Sequence, residues 1–184
     1  PAIHPSKDGA DFGKERQLLL QHRDGSDANM EKGEMRLEAN VSVSNNGTLG
    51  TKVEIKNLNS FGIMERAVAY EIKRQITALE SGEEIVQETR GWNDARQETF
   101  SQRVKEGSAD YRYFPDPDLP SLKLSELPEL TIDVIKASLP ELPEDRRQRY
   151  VSLGVKMADA IQFVAYPKLA QYFDAVIGSS TDAL

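Results

Sequence analysis

Glu34-Met-Arg-Leu-Glu-Ala-Asn-Val-Ser-Val-Ser44, Asn45-Asn-Gly-Thr-Leu-Gly50 and Thr51-Lys-Val-Glu-Ile-Lys-Asn-Leu-Asn-Ser60 form the stretch that decides how this chain folds. Its first part alternates without a break. Met35, Leu37, Ala39, Val41 and Val43 are apolar, and Glu34, Arg36, Glu38, Asn40, Ser42 and Ser44 are polar. A period of two marks a strand with one buried and one wet face. Asn45, Asn46 and Gly47 suit the positive φ of a tight turn, and Gly50 is placed to close it. The second strand then buries Val53 and Ile55 and exposes Lys52, Glu54 and Lys56. A one-residue slip would turn a whole strand face over, so even-numbered residues must oppose even-numbered ones. The simplest register consistent with the turn sets Asn40 near Glu54 and Glu38 near Lys56. The outcome is a polar sheet face of Arg36, Glu38, Asn40, Lys52, Glu54 and Lys56. One reading of that face is a solvated surface with cross-strand ion pairs, each contributing roughly 0.2–1 kcal/mol. The other is a site. Asn40 and Asn57 are weak strand formers, and Asn57-Leu-Asn-Ser60 leads into a helix, where backbone N–H groups can face an anion.

On the C-terminal side of the hairpin, Ser60 is a helix N-cap for about Phe61 to Glu80. Phe61, Met64, Ala67, Val68, Ile72, Ile76 and Leu79 recur at three- and four-residue spacing and make one apolar stripe. Glu65, Arg66, Glu71, Lys73 and Arg74 fall on the expected solvated side. Ser81-Gly82 ends the helix. Before the hairpin, a helix is expected over about Ala10 to His22, its start weakened by Gly9 and Gly13. After the long helix, strands near Ile85 to Arg90 and Glu98 to Val104 read as a second hairpin on the same sheet. Trp92 in their connection is either a packing lid or a stacking surface. Prolines 115, 117 and 120 impose an extended path, in which Arg112 and its aromatic neighbours either anchor a loop or stack on a base. Asp116 and Asp118 read as turn residues. From residue 125 onward the chain is a series of short helices punctuated by Pro140, Pro143, Gly154 and Pro167. The fold class is α+β: an antiparallel sheet with packed helices, followed by part of an all-helical domain.

Composition bounds the function. The 184 residues carry 39% hydrophobic and 29% charged side chains, a formal net charge of -7 and no cysteine. Disulfides, thiolate nucleophiles and cysteine-ligated zinc are excluded. No apolar run reaches the length of a membrane span, and no signal-peptide pattern opens the chain. The expected setting is cytoplasmic. The acidic balance gives no support for strong nonspecific nucleic-acid binding, so any RNA contact must use a local basic surface or belong to another part of a larger assembly.

Four segments carry a resemblance. Met30 to Val43, Gly50 to Phe61, Gln87-Glu-Thr-Arg90 and Asp110 to Pro120 occur in order and resemble the B-type subunit of the aspartyl/glutamyl-tRNA(Asn/Gln) amidotransferases. The resemblance implies residues 1–124 as part of a catalytic cradle and 125–184 as the start of a truncated helical domain. It implies an internal fragment, without the family's N-terminal His-x-Glu strand and its C-terminal tRNA-binding tail. It also implies ATP and Mg²⁺, with activation of a misattached Glu or Asp on tRNA as an acyl phosphate. Ammonia would come from an amidase (glutaminase) subunit, within a heterotrimer completed by a small stabilising subunit. On this basis Glu38, Asn40, Lys52, Glu54 and Lys56 are the catalytic candidates. Asn57, Asn59, Ser60 and Arg112 are the phosphate or substrate candidates. Glu38 is also the metal candidate, standing where the family usually has Asp. The competing class is a non-catalytic RNA- or protein-binding scaffold that retains the fold.

Overall fold

The computed structural model describes residues 3, 6–23, 25–104 and 115–179. They divide into two compact units, one of residues 1–17 and 27–109 and one of residues 18–26 and 110–184.

In the first unit, helix α1 (Ser6–His22, of which residues 6–17 belong here) precedes strands β1 (Leu37–Val41) and β2 (Val53–Leu58). Helix α2 (Phe61–Glu80) and strands β3 (Glu88–Asn93) and β4 (Glu98–Val104) follow. The strands form a four-stranded sheet in the order β1-β2-β3-β4. The two hairpin pairs are antiparallel, but β2 and β3 run parallel, with Glu54 beside Thr89 and Ile55 beside Arg90. The expected α+β class holds, and the sheet is mixed rather than antiparallel throughout. The reason is α2. A 20-residue helix is about 30 Å long and carries the chain back to the end of the sheet where β2 began. The next strand therefore starts in the same direction.

The expected opposition of Asn40 and Glu54 is observed, with Ala39 beside Ile55 and Val41 beside Val53. Toward the other end the register shifts, so that Leu37 meets Leu58. The extra residue on β2 is Asn57, whose φ is 59°. This β-bulge turns Leu58 inward beside Val53 and Ile55, although its number has the opposite parity. At the turn, Asn46 Oδ1 accepts from Thr48 N at 3.0 Å and from Thr48 Oγ1 at 2.6 Å. A Cβ on Gly50 would collide with the carbonyl oxygen of Val43, so only glycine admits this close approach.

Leu37, Ala39, Val41, Ile55, Leu58 and Ala67 form the core of this unit, bordered by Phe61, Met64, Val68, Ile72 and Trp92. Each fully buried aliphatic side chain here contributes about 1.5–3 kcal/mol. The start of α1 falls four residues earlier than expected. Gly9 and Gly13 are buried within it, where Cβ atoms would lie 3.4 Å from Met64 and 2.9 Å from the Phe61 ring. Close packing offsets their poor helix propensity. Ile76 and Leu79, placed on the buried stripe by their spacing, are exposed. The buried face of α2 is instead Ala67, Glu71, Gln75 and Ala78.

In the second unit, α3 (Ile132–Ser138), α4 (Pro143–Ser152), α5 (Met157–Ala165) and α6 (Pro167–Ser179) follow two 3-10 turns. Tyr150 is its buried centre, T-stacked on Phe173 with ring centroids 4.9 Å apart. Its hydroxyl donates to Asp174 Oδ1 at 2.9 Å. Arg149 bonds the same oxygen and both carboxylate oxygens of Glu141. Asp118 N donates to Asp116 Oδ1 at 2.9 Å, the turn expected of that pair.

Candidate functional site: the polar sheet face and the charge network behind it

The outward face of the sheet gathers Glu38, Asn40, Glu54 and Lys56, as alternation requires. Lys56 Nζ stands 3.7 Å from Glu38 Oε1 and 3.7 Å from Glu54 Oε1. The two carboxylates are not equivalent, since the Glu38 side chain is 45% exposed and that of Glu54 only 13%. The parallel pairing adds a residue that hydropathy gives no reason to select. Thr89 donates from Oγ1 to Glu54 Oε2 at 3.1 Å. Asn40 is exposed and sits across the strand pair from Glu54.

The other sequence candidates lie differently. Lys52 precedes β2 and is exposed, and Asn57 and Asn59 are exposed beyond the cluster. None of the three makes a side-chain hydrogen bond or ion pair among the described residues. Ser60 caps α2, its Oγ accepting from Ile63 N at 3.1 Å. Its side-chain oxygen is thereby committed to the helix. Arg112 lies outside the described residues.

Two carboxylates sharing one ammonium leave the cluster one negative charge. That donor set fits a Mg²⁺ ion carried in on phosphate oxygens, which commonly takes one or two protein carboxylates. Among the described residues no group of three His, Cys, Asp or Glu is arranged to hold a metal by itself.

Behind this face, between α2 and β3–β4, lies a network that helical spacing alone places in solvent. Glu71 is fully buried. Arg74 grips it through Nη2 at 2.6 Å and Nε at 3.0 Å, Gln75 Nε2 donates at 2.9 Å, and Thr99 Oγ1 donates at 2.9 Å. Arg90 extends the chain of bonds, donating to Thr99 Oγ1 at 2.9 Å, Thr99 O at 2.9 Å and Glu88 Oε1 at 2.6 Å. Glu88 also accepts from Ser101. Burial pushes the Glu71 carboxyl up. The hydrogen bonds from Arg74, Gln75 and Thr99, with the Arg74 charge, outweigh burial and hold it below the ordinary carboxylate range. The signal in the sequence is the spacing of Ala67, Glu71, Gln75 and Ala78, a helical stripe in which small residues flank two polar ones. Trp92 is on β3 rather than in a connection, half-buried against the core and edge-on to Tyr70.

The sequence profile of the GatB/GatE catalytic domain matches residues 1–131, which include the whole sheet and both faces just described. The chain belongs to this family. Across its length it is 44% identical to the B-type subunit of the chloroplastic/mitochondrial glutamyl-tRNA(Gln) amidotransferase of Physcomitrium patens, covering 99% of this chain and 32% of that relative. It is 44% identical to the B-type subunit of the aspartyl/glutamyl-tRNA(Asn/Gln) amidotransferase of Crocosphaera subtropica, covering 100% of this chain and 37% of the relative. It is 47% identical to the B-1 form of the chloroplastic/mitochondrial glutamyl-tRNA(Gln) protein from Micromonas pusilla, covering 100% and 34%. The chain thus spans about a third of the length of the curated GatB/GatE relatives it matches. No helix among the described residues is long and apolar enough to cross a membrane.

Proposed function

We propose that this chain is the part of a GatB-type, tRNA-dependent amidotransferase subunit whose polar sheet face serves the transfer chemistry. The reaction converts misattached Glu on tRNA(Gln), Asp on tRNA(Asn), or both, into the amide. The observation that carries the reading is the cluster of Glu38, Glu54 and Lys56, inside the region matched by the catalytic-domain family.

In the first step a side-chain carboxylate oxygen attacks the γ-phosphorus of ATP, the bond to the β-phosphate oxygen breaks, and ADP leaves. In the second, ammonia attacks the acyl carbon, phosphate leaves, and nitrogen gives up a proton. Lys56 offsets charge on the transferring phosphoryl group. Glu38, the more exposed carboxylate, accepts the proton, while Glu54 holds Lys56 and Asn40 orients the substrate. Glu38 and Glu54 would hold Mg²⁺, which would supply Lewis-acid neutralisation of the phosphoryl charge. Lys52, Asn57, Asn59 and Arg112 are assigned to phosphate or substrate contact, and Ser60 contributes through its backbone. The catalytic part is residues 1–124, and residues 125–184 serve packing and tRNA approach. Ammonia comes from a glutaminase subunit in a heterotrimer with a small stabilising subunit. The setting is cytoplasmic, with an organelle interior as the other compartment.

The test uses the full-length polypeptide with its amidase and small subunits, assayed for glutamine- and ATP-dependent conversion of Glu-tRNA(Gln) and Asp-tRNA(Asn). Glu38→Gln and Lys56→Met are expected to lose phosphorylation while glutaminase activity persists. Full activity in both variants would remove the polar face from the chemistry. Failure of the wild type with all partners present would favour a non-catalytic scaffold.

A further inference from the structure

Strand alternation splits Gln87-Glu-Thr-Arg90 between two faces. Glu88 and Arg90 point into the buried network, and Thr89 between them points to the polar face. The three are almost fully withdrawn from solvent, Thr89 being only 7% exposed. Its stretch of β3 is held from three directions. The parallel pairing holds Thr89 beside Glu54, and Arg90 holds the next residue to Thr99 on β4 by two bonds of 2.9 Å. Glu88, on the other side, is held by Arg90 and Ser101. From this held strand the Thr89 hydroxyl donates to Glu54 Oε2 at 3.1 Å. That bond leaves Glu54 Oε1 turned toward Lys56.

We infer that Thr89 is a positioning residue, which aims the Glu54 carboxylate and through it the Lys56 ammonium, and that the Glu71–Arg90 network on the reverse face is the frame that holds Thr89 in place. The inference rests on the polar face being the reacting face. It gives the two faces of the sheet distinct roles, one meeting substrate and the other setting the geometry of the first. A freely rotating carboxylate could satisfy Lys56 through either oxygen, whereas a carboxylate with one oxygen held cannot. Small displacements of catalytic groups cost disproportionately in rate, on the order of a hundredfold per ångström.

The test combines a conservative pair of variants with a double-mutant cycle in the full-length subunit and its partners. Thr89→Val keeps the shape and removes the hydroxyl, and Thr89→Ser keeps the hydroxyl. Thr89→Val is expected to lower kcat roughly ten- to hundredfold with KM for ATP little changed, and Thr89→Ser to restore most of it. In a Glu54→Gln background, Thr89→Val should have little further effect, because its action runs through Glu54. A second readout does not depend on turnover. The 13C resonance of the Glu54 carboxylate, recorded without nucleotide, should move in Thr89→Val and return in Thr89→Ser. An unmoved resonance, or additive losses in the cycle, would overturn the positioning role and reduce Thr89 to a packing residue. A moved resonance with full activity in both Thr89→Val and Glu54→Gln would leave the hydrogen bond standing. It would overturn the inference through the site itself, since the face would then not be the reacting one.

Discussion

Thr99 Oγ1 donates to Glu71 Oε2 across 2.9 Å and accepts from Arg90 Nε across 2.9 Å, so a single hydroxyl links the middle of α2 to two adjacent strands. The link explains why a carboxylate can be fully buried at the centre of the first unit. Its oxygens meet donors from Arg74, Gln75 and Thr99, and the Arg90 guanidinium lies 3.5 Å away. A buried charge this well partnered is stable in place and costly to disturb.

Glu71→Gln therefore destabilises the chain by roughly 3 kcal/mol, at the low end for a broken buried pair because both guanidinium groups keep some solvent. Chemical denaturation measures this directly. The pH dependence has a definite sign. Hydrogen bonds and the Arg74 charge keep the folded Glu71 carboxyl below the ordinary value of 4.5, so its stabilisation is complete above that pH. The stabilisation is lost as pH falls through the folded value. The wild type should show this acid loss, and Glu71→Gln should show less of it.

Asn57 separates a conformational role from a chemical one. Its φ of 59° suits Asn or Gly and strains a β-branched residue. Asn57→Val is expected to cost about 2 kcal/mol, and Asn57→Gly close to nothing. If Asn57→Gly also retains full transfer activity, the side chain has no part in substrate contact.

Ser60→Ala removes the bond to Ile63 N and should cost about 1 kcal/mol, while Ser60→Asp keeps the cap. Thermal unfolding of the pair distinguishes a capping residue from a phosphate ligand. A cap tolerates Asp, and a phosphate contact does not.

Tyr150→Phe deletes the hydroxyl that meets Asp174 and should cost about 1–2 kcal/mol. Burial, with the Asp174 carboxylate alongside, pushes the phenol up to about 12 from its ordinary 10.0. The folded state holds that proton more tightly than the unfolded chain does. Stability is therefore present below pH 10.0 and falls as pH rises toward about 12. Denaturation at alkaline pH should show this loss in the wild type and its absence in Tyr150→Phe.

The outward cluster should behave in the opposite way in a stability assay. Lys56 stands 3.7 Å from each carboxylate with a side chain 39% exposed, so Lys56→Met should change stability by less than about 1 kcal/mol. A large loss of activity with an unchanged denaturation midpoint would mark the cluster as functional rather than structural.

The hairpin is legible because hydrophobic alternation reports directly on which side of a strand meets the core. The opposition of Asn40 to Glu54 follows from that rule together with the position of the turn. Other features escape it. The bulge at Asn57 breaks parity, so Leu58 is buried where simple counting leaves it out. The parallel arrangement of β2 and β3 is set by the length and path of α2, which no strand pattern encodes. Hydropathy scores Glu71 as a lone carboxylate and assigns it to solvent, while its burial depends on Arg74 three residues on and Thr99 on a distant strand. Thr89 escapes for the same reason, since its partner Glu54 is 35 positions away.

That separation orders the assembly of the molecule. The first hairpin joins neighbours in the chain and can close on its own, bringing Glu38, Glu54 and Lys56 side by side. Thr89 arrives only when α2 has crossed over and the third strand has docked, a slower event because a long loop must close first. Until then the three charges share a surface without a fixed arrangement. Completion of the sheet and fixing of the cluster thus coincide in one late step, and a chain halted before it would hold the three charges but not their alignment.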